Sequence, residues 1–284
     1  MVANFPAGQS YGYVSNDSFA TSNQRNDVYS MVDSNSYFYK GNAMLGAGYS
    51  VTFDNFNFNT NGEVNCSSDQ LNIYISSEML VVPTNTVNLC STIGSAYRAT
   101  LIKRTYDKDN GYIFALLNLN DGNQTIKKLY RTSLNGTTTM VNFPSCTDCL
   151  NSDVSFSYNN GRLVYLDKRS GYSDSWQTPN LIYKLFVSMD GGMSWTSQNL
   201  NFTNNAAHNL WDFTYVKDGK YVGVTTYYQD LGVLVYDSNL SQSKRYDTNL
   251  KGKSNPNGRY LMTDQDKVYL FMYGYLLNIL VDIF

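Results

Sequence analysis

The chain contains little of what builds helices or binds nucleic acid. Among its 284 residues are only two glutamates, Glu63 and Glu78, and ten alanines, against 25 tyrosines and 34 asparagines. Alanine and glutamate favour helices, whereas tyrosine, threonine and valine fit a pleated strand. The net charge of −2 leaves no basic surface of the kind that nucleic acids require. The composition therefore predicts an all-β protein without a nucleic-acid partner.

Long apolar segments are also scarce. The first ten residues show neither the basic nor the apolar segment of a signal peptide. The most apolar stretch, 268–284, is interrupted by Gly274, Asn278 and Asp282, so no run reaches the roughly 18 residues of a membrane span. We expect no membrane insertion. A composition rich in Tyr, Asn, Ser and Thr, without a visible signal peptide, favours an extracellular or virion location.

One histidine and four cysteines limit the metal chemistry of the chain. Cys146-Thr-Asp-Cys149 is a C-x-x-C motif, but a zinc site would need a second such pair or more histidines. A thioredoxin-like site would need a strand-to-helix setting, and this motif follows Phe143-Pro144 in a polar loop. Structural thiols, a disulfide and a metal site remain open. We predict structural thiols, no metal site and no cofactor.

Tight turns recur along the middle and end of the chain. Asp109-Asn110-Gly111, Asn160-Gly161 and Asp218-Gly219 each separate two runs of strand-forming residues, and a fourth such turn falls at 264–266. Asn-Gly and Asp-Gly supply the positive φ angles that two-residue hairpin turns need. The spacing of about 50 residues predicts a repeated unit of antiparallel strands.

A second motif follows these hairpins. Ser188-Met-Asp190-Gly-Gly192-Met-Ser-Trp195 has the form S-x-D-x-G-x-x-W, and it resembles the Asp-box (BNR repeat) of sialidase-like and sortilin-like β-propellers. In those proteins the Asp-box is the turn between the third and fourth strands of a blade. Degenerate copies begin at Ser133 and Asp237, and Ser76-Ser-Glu78 is a further one. The resemblance implies a structural turn and no catalytic residue.

The repeat and the resemblance together predict a single β-propeller domain over 1–284. We expect five blades, with six as the alternative, each a four-stranded antiparallel sheet. The last repeat has room for three strands, at 259–263, 267–273 and 276–283. An N-terminal strand from 9–15 or 28–33 would complete it and remove two free edges, so that strands from both termini close the ring. Residues 1–65 are poorly readable and hold the closing strand and an irregular first blade.

A catalytic site does not stand out. Most glycosidases need paired carboxyl groups, but Glu78 aligns with the Asp-box carboxylate and Glu63 follows a turn predicted at Asn61-Gly62. No arginine occurs in the setting typical of sialidases, although Asp–Asp chemistry stays possible. We therefore predict a non-catalytic binding or structural protein, a tail, spike or receptor-binding component of a virion that recognises surface glycans or partner proteins. The alternatives are a glycoside hydrolase or lyase acting on a surface polysaccharide, and a peptide-binding assembly scaffold.

The longest insertion in the repeats is the candidate binding loop. Residues 168–180 carry Arg169, Tyr172, Asp174 and Trp176 and show no strand pattern. Aromatic and charged side chains on a loop suit the stacking and hydrogen bonding of sugar recognition. The alternative is a surface loop with one packed tryptophan.

The Asp-box resemblance gives a stability prediction. Trp195→Ala should lower the free energy of unfolding by about 3–5 kcal/mol, as for large aromatic side chains that pack into a core. Asp190→Ala should cost about 1–2 kcal/mol through lost turn hydrogen bonds. Denaturant unfolding of both variants measures the two values, and a Trp195 variant as stable as the parent would contradict the assignment.

Overall fold

The structure is a computed structural model that describes residues 2–4, 10–14, 23–25, 43–45, 49–54, 63–76, 85–107, 109–169, 182–201, 209–227, 230–247, 259–264, 267–272 and 275–279. The chain divides into two compact units, Met1–Val141 and Asn142–Phe284. The prediction of one propeller domain over 1–284 stays a prediction.

The first unit is built from strands and one short helix. In chain order these are β1 (Val2–Asn4), β2 (Ser10–Val14), β3 (Asn23–Arg25), β4 (Ala43–Leu45), β5 (Tyr49–Asp54), β6 (Val64–Asn65), β7 (Asn72–Ser76), β8 (Asn85–Asn88), α1 (Cys90–Ile93), β9 (Arg98–Asp107), β10 (Tyr112–Asn120), β11 (Thr125–Ser133) and β12 (Thr138–Val141). They pair as three antiparallel sheets of order β1-β2-β3, β4-β5-β7-β8 and β12-β11-β10-β9-β6.

The second unit is more regular. Its strands are β13 (Ser155–Asn159), β14 (Arg162–Lys168), β15 (Ile182–Ser188), β16 (Thr196–Asn201), β17 (Asn209–Tyr215), β18 (Tyr221–Tyr227), β19 (Asp230–Tyr236), β20 (Gln242–Asp247), β21 (Arg259–Asp264), β22 (Lys267–Met272) and β23 (Tyr275–Ile279). Consecutive strands form three sheets, β13-β14-β15-β16, β17-β18-β19-β20 and β21-β22-β23. Successive sheets meet through their first strands, because β13 contacts β17 and β17 contacts β21.

The predicted hairpins are confirmed. Asn160 and Gly161 have φ of 44° and 76°, and Asp218 and Gly219 have φ of 50° and 79°. These are the left-handed conformations that two-residue turns demand and that Asn, Asp and Gly adopt most readily. The register of β13 with β14 and of β17 with β18 follows from them.

The all-β class is confirmed, and one detail of the predicted closure is wrong. Among the described residues the only helix is α1, and none is long or apolar enough to cross a membrane. Within the described residues the last sheet has three strands, as predicted. However, β2 pairs on one side with β1 and on the other with β3, so residues 9–15 do not supply the missing strand. Residues 28–33 lie outside the described part, and the blade count stays a prediction.

The core of the second unit is apolar and aromatic. Strand β14 reads Arg-Leu-Val-Tyr-Leu-Asp-Lys, and its five central residues are buried. Phe213 of β17 packs against the rings of Tyr221 and Tyr236, with centroids 5.6 and 5.5 Å apart. Aromatic pairs at this separation contribute beyond the area they bury. The buried rings thus hold β17, β18 and β19 together.

A polar ladder joins the first strands of two neighbouring sheets. Ser155, Ser157 and Asn159 alternate along β13 and therefore share one face. The Oγ of Ser155 lies 2.8 Å from the carbonyl of Phe213 and accepts its N–H at 3.0 Å. Ser157 donates to the same carbonyl, and Asn159 Nδ2 donates to the carbonyl of Tyr215 at 3.1 Å. Side chains of β13 thus form hydrogen bonds with the main chain of β17, although the two strands are not paired in one sheet.

The four cysteines form two disulfides, Cys66–Cys90 and Cys146–Cys149. Of the alternatives that the sequence left open, the structure has the disulfide and not the structural thiols that were expected first. Cys66 follows the short β6 and Cys90 begins α1, and the apolar core of the first unit packs around them. Sequence spacing alone could not show these pairings because they depend on the distance between Cα atoms, here 5.0 and 5.4 Å.

The ladder predicts a large stability cost for two conservative truncations. Ser155→Ala and Asn159→Ala should each lower the free energy of unfolding by about 1–3 kcal/mol, because each removes hydrogen bonds to buried main-chain groups at the end of β17. Ser197→Ala, on the exposed side of β16, is the matched control and should change stability by less than about 0.5 kcal/mol. Equal midpoints for all three variants in denaturant would contradict the ladder.

Candidate active site

Only one of the four predicted loop residues lies in the described part of the chain. Arg169 follows β14, and its Nε donates to Asp148 Oδ2 at 2.6 Å. Burial acts to raise the pKa of Asp148, but the hydrogen bond from Arg169 and the positive charges of Lys184 and Arg169 leave that pKa lowered. Tyr172, Asp174 and Trp176 lie outside the described residues, so the binding loop stays a prediction.

The turn Ser188–Trp195 is held by its own side chains. Asp190 Oδ1 accepts the N–H groups of Met193 and Ser194 at 3.0 and 2.9 Å, and Ser188 Oγ accepts that of Gly192 at 2.8 Å. Hydrogen bonds from Ser194 are the main cause that lowers the pKa of Asp190 to about 2. The carboxylate therefore stays ionised while it organises the turn.

Trp195 connects this turn to the start of the second unit. Its ring is half-buried, its Nε1 donates to the carbonyl of Asn142 at 2.9 Å, and it meets the ring of Phe143 edge to face. The turn joins the third and fourth strands of its sheet. The turns at Ser133 and Asp237 likewise join the last two strands of their sheets, and in each an Asx side chain accepts turn N–H groups. Membership of the Asp-box family stays a prediction.

The carboxylates that sequence reasoning did not single out gather near the beginning of β13. The hydroxyl of Tyr165 lies 2.8 Å from Asp153 Oδ1 and 2.8 Å from Asp167 Oδ2. A phenol carries one hydrogen and can donate to only one of them at a time. Burial, followed by the charges of Asp153 and Asp167, raises the pKa of Tyr165 far above its usual range. The phenol therefore stays protonated between the two aspartates.

Asp167 is the anchored member of the group. It is 1% exposed, and its Oδ1 accepts the N–H of Ser152 at 2.7 Å and that of Lys168 at 2.8 Å. The hydroxyl of Ser152 also donates to it. Because each hydrogen bond offsets part of the cost of burying a charge, Asp167 can fasten the chain before β13 to the end of β14.

Asp212 brings a further carboxylate from the neighbouring sheet. Its Oδ1 lies 2.5 Å from the Oγ of Ser155. Asp153 precedes Ser155 by two residues, so their Cα atoms are at most about 7 Å apart. Both aspartates are partly exposed, whereas Asp167 is buried. The accessible carboxylates of this group are therefore Asp153, which lies just before β13, and Asp212, which lies on β17.

Such a group can carry acid–base chemistry. Two carboxyl groups a few ångströms apart can give a proton to one atom of a bound molecule and activate or attack another. One signal for it was present in the sequence. Tyr165 and Asp167 fall on one face of the strand Arg-Leu-Val-Tyr-Leu-Asp-Lys, and a buried aspartate in an apolar strand is uncommon. Nothing in the sequence indicates that Asp212 comes close.

No family model matches the chain, and no curated protein matches it. Solved structures resemble it weakly. A prolyl endopeptidase has a TM-score of 0.47 and 11% identity over 82% of this chain. An exo-β-1,3-galactanase from Phanerochaete chrysosporium has a TM-score of 0.41 and 12% sequence identity over 74% of this chain. An endo-arabinase from Bacteroides thetaiotaomicron has a TM-score of 0.40 and 11% sequence identity over 83% of this chain. The matches cover 30%, 49% and 90% of those three proteins, respectively, so the chain spans less than half of the first two. These values describe general architecture and say nothing of residues or substrates.

The prediction of a non-catalytic virion component is wrong on this comparison. Glycoside hydrolases recur among the similar structures, which also include a family 117 enzyme, a β-fructofuranosidase and a sialidase. The prediction had relied on the scarcity of glutamate, but aspartates can supply both carboxyl groups. In the fold, the hydroxyl of Tyr165 joins Asp153 to Asp167, and Asp212 contacts Ser155.

Two buried tyrosines give opposite predictions at neutral pH. Tyr165→Phe removes the donor between two carboxylates and should cost about 1–3 kcal/mol of unfolding free energy. The hydroxyl of Tyr236 is buried and has no hydrogen-bond partner within the described residues. Tyr236→Phe should therefore leave stability unchanged or raise it. Thermal unfolding of the two variants at pH 7 measures the difference, and equal losses would contradict it.

The same tyrosines predict the alkaline behaviour. Burial raises the pKa of both Tyr165 and Tyr236 above the value of about 10 found in unfolded chains. Their contribution to stability is complete below pH 10 and is lost as pH rises above it, since the unfolded phenols then release protons. Between about pH 9 and pH 11, the range around the pKa of an unfolded tyrosine, each Phe variant should lose less stability than the parent. An identical slope in parent and variants would show that these phenols ionise in the folded chain.

Proposed function

We propose that the chain is a glycoside hydrolase that acts on a polysaccharide through Asp153 and Asp212. The observation that carries the proposal is the approach of these two partly exposed carboxylates through Ser155. Asp212 contacts Ser155 directly, and Asp153 stands two residues before it. Glycosidases hold their two carboxyl groups about 5–10 Å apart, a range that this arrangement allows.

The proposed reaction divides the work between the two aspartates. One carboxyl group protonates the oxygen of the leaving sugar as the glycosidic bond breaks. The other either removes a proton from the attacking water or attacks the sugar carbon itself, in which case a second water later releases the product. The separation of the carboxyl groups decides between these routes, so the anomeric configuration of the first product reports it.

Tyr165 and Asp167 serve as positioning residues in this proposal. The phenol holds Asp153 through a 2.8 Å contact, and Asp167 fixes both the phenol and the main chain of Ser152. A lyase would need a base that removes a proton from the sugar ring. Tyr165 does not fit that role because it is 2% exposed and its pKa is raised. Hydrolysis therefore suits the site better than elimination.

We also propose that the sheets are blades of a β-propeller. The support is their repeated construction: consecutive antiparallel strands, contacts through first strands within the second unit, and Asx-stabilised turns between third and fourth strands. In such an arrangement the loops before the first strands converge at one end of the central axis. The chain before β13, with Asp153, would lie among them.

The proposed place of action is outside the reducing cytosol, with surface glycans as the substrate. Two disulfides are the support, because such bonds form and persist in oxidising surroundings. The mass of the protein after thiol labelling without reductant would test this. Incorporation of label at all four cysteines of freshly isolated protein would contradict it.

Asp153→Asn and Asp212→Asn should each reduce glycan hydrolysis by at least about 100-fold, as expected for loss of an acid–base group. The measurement is release of reducing ends from a panel of acidic and neutral polysaccharides. Asp218→Asn is the matched control. Asp218 lies at the turn between β17 and β18 with φ of 50°, a conformation that asparagine tolerates, so this variant should keep full activity.

Three results would contradict the proposal. They are no release by the folded parent from any polysaccharide, full activity in both Asn variants, and an unsaturated product that reveals elimination. Circular dichroism of each variant separates loss of activity from loss of fold. The proton NMR signal of the first free anomer then assigns the stereochemical course.

A further inference from the structure

A second group of potential ligands lies on the loop before β13. The Sγ atoms of Cys146 and Cys149 and a carboxylate oxygen of Asp148 all lie within 4.8 Å of one another. All three residues are partly buried. The Oδ1 of Asp148 lies 3.2 Å from Cys146 Sγ, while Oδ2 accepts the hydrogen bond from Arg169. One carboxylate oxygen therefore already faces the sulfur atoms.

We propose that the reduced chain binds a thiophilic divalent cation, Zn²⁺ in the first place, through Cys146, Asp148 and Cys149. Two thiolates and one carboxylate are three of the four ligands that zinc takes in tetrahedral sites, and a water would complete the set. Thiolates select such cations over Ca²⁺ and Mg²⁺. The inference goes beyond the proposed hydrolysis and does not depend on it.

The loop is held in place by bonds other than the disulfide. Cys149 forms an isolated antiparallel bridge with Arg169, and the N–H of Leu150 donates to the carbonyl of Lys168 at 2.8 Å. These contacts tie the chain just after the motif to the end of β14. We therefore expect the ligands to stay near one another after the disulfide opens. The entropic cost of closing the loop around a metal is then smaller than in a free chain.

The local charges fit a divalent cation. Two thiolates and a carboxylate carry three negative charges, and the guanidinium of Arg169 is in direct contact with the carboxylate. A cation of charge +2 brings this set of four side chains to zero.

The disulfide makes the site conditional on reduction. A phosphine reductant attacks one sulfur and is oxidised to the phosphine oxide, while water supplies the oxygen and the two protons of the new thiols. Metal binding then releases both thiol protons. Oxidation to the disulfide removes both sulfur ligands. The chain would thus bind metal before its disulfide forms or after a reductant opens it.

The test uses the full chain and Co²⁺ as a spectroscopic probe. After reduction with a phosphine, one equivalent of Co²⁺ should produce a thiolate-to-cobalt charge-transfer band and the visible bands of a tetrahedral site, and Zn²⁺ should abolish both. The oxidised chain should show neither. Asp148→Asn should weaken binding by at least about tenfold, the lower end of the 10- to 100-fold losses seen when a metal site is disturbed.

Two cysteine variants isolate the motif. Cys146→Ser with Cys149→Ser should abolish the charge-transfer band, and circular dichroism of this variant shows whether the fold survives without the disulfide. Cys66→Ala with Cys90→Ala is the matched control that removes the other pair, and it should keep the band. A reduced parent without the band, or a band that persists when Cys146 and Cys149 are serine, overturns the proposal.

Discussion

The contact between β13 and β17 is the constraint on which the second unit depends. These strands belong to different sheets and share no ladder of main-chain hydrogen bonds. The side chains of Ser155, Ser157 and Asn159 bond to the β17 main chain instead. A buried carbonyl without a partner would cost about 1–3 kcal/mol, so each of these bonds fixes the relative position of two sheets. The same bonds fix the position of the proposed active site, because Ser155 also contacts Asp212.

Burying Asp167 and Tyr165 is expensive, and the structure offsets the cost with hydrogen bonds. Oδ1 of Asp167 accepts from Ser152 and from the N–H of Lys168, while Oδ2 faces the phenol. The phenol ring packs edge to face on Phe143, with centroids 4.9 Å apart. An apolar pair of similar volume could be as stable. We regard the polar pair as a device that sets the position of the loop before β13, and with it the direction of Asp153.

The segment 142–153 links the features described above. Its first residue accepts the hydrogen bond of Trp195, its Phe143 packs on Tyr165, and its cysteines close a four-residue ring. Asp148 and Ser152 then connect it to the end of β14. A structural turn, a buried polar group and a disulfide thus all contact one stretch of chain. A change in any of them should alter the position of Asp153, which is the last residue of this segment.

The sequence by itself determined the β class, the hairpins and the three strands of the last sheet. These features are local: Asn160-Gly161 and Asp218-Gly219 adopt positive φ wherever they occur in a tight turn, and alternation along a strand needs no distant partner. The structure of the turn at Ser188 was readable for the same reason, since its hydrogen bonds span at most four residues.

Only the tertiary structure decided which carboxylates meet, which cysteines pair and which strand joins β2. Ser155 and Asp212 are 57 residues apart, and nothing in either neighbourhood encodes the contact, which arises from the packing of two sheets. The scarcity of glutamate misled the functional prediction because it counted residue types and not their positions. The predicted pairing of 9–15 with the last sheet was wrong for a similar reason. A local sequence pattern does not show which strand edge a given strand will join, since any exposed edge can accept another strand. The hydrogen bonds of β2 go to β1 and β3, its near neighbours along the chain, and loop closure favours such short connections.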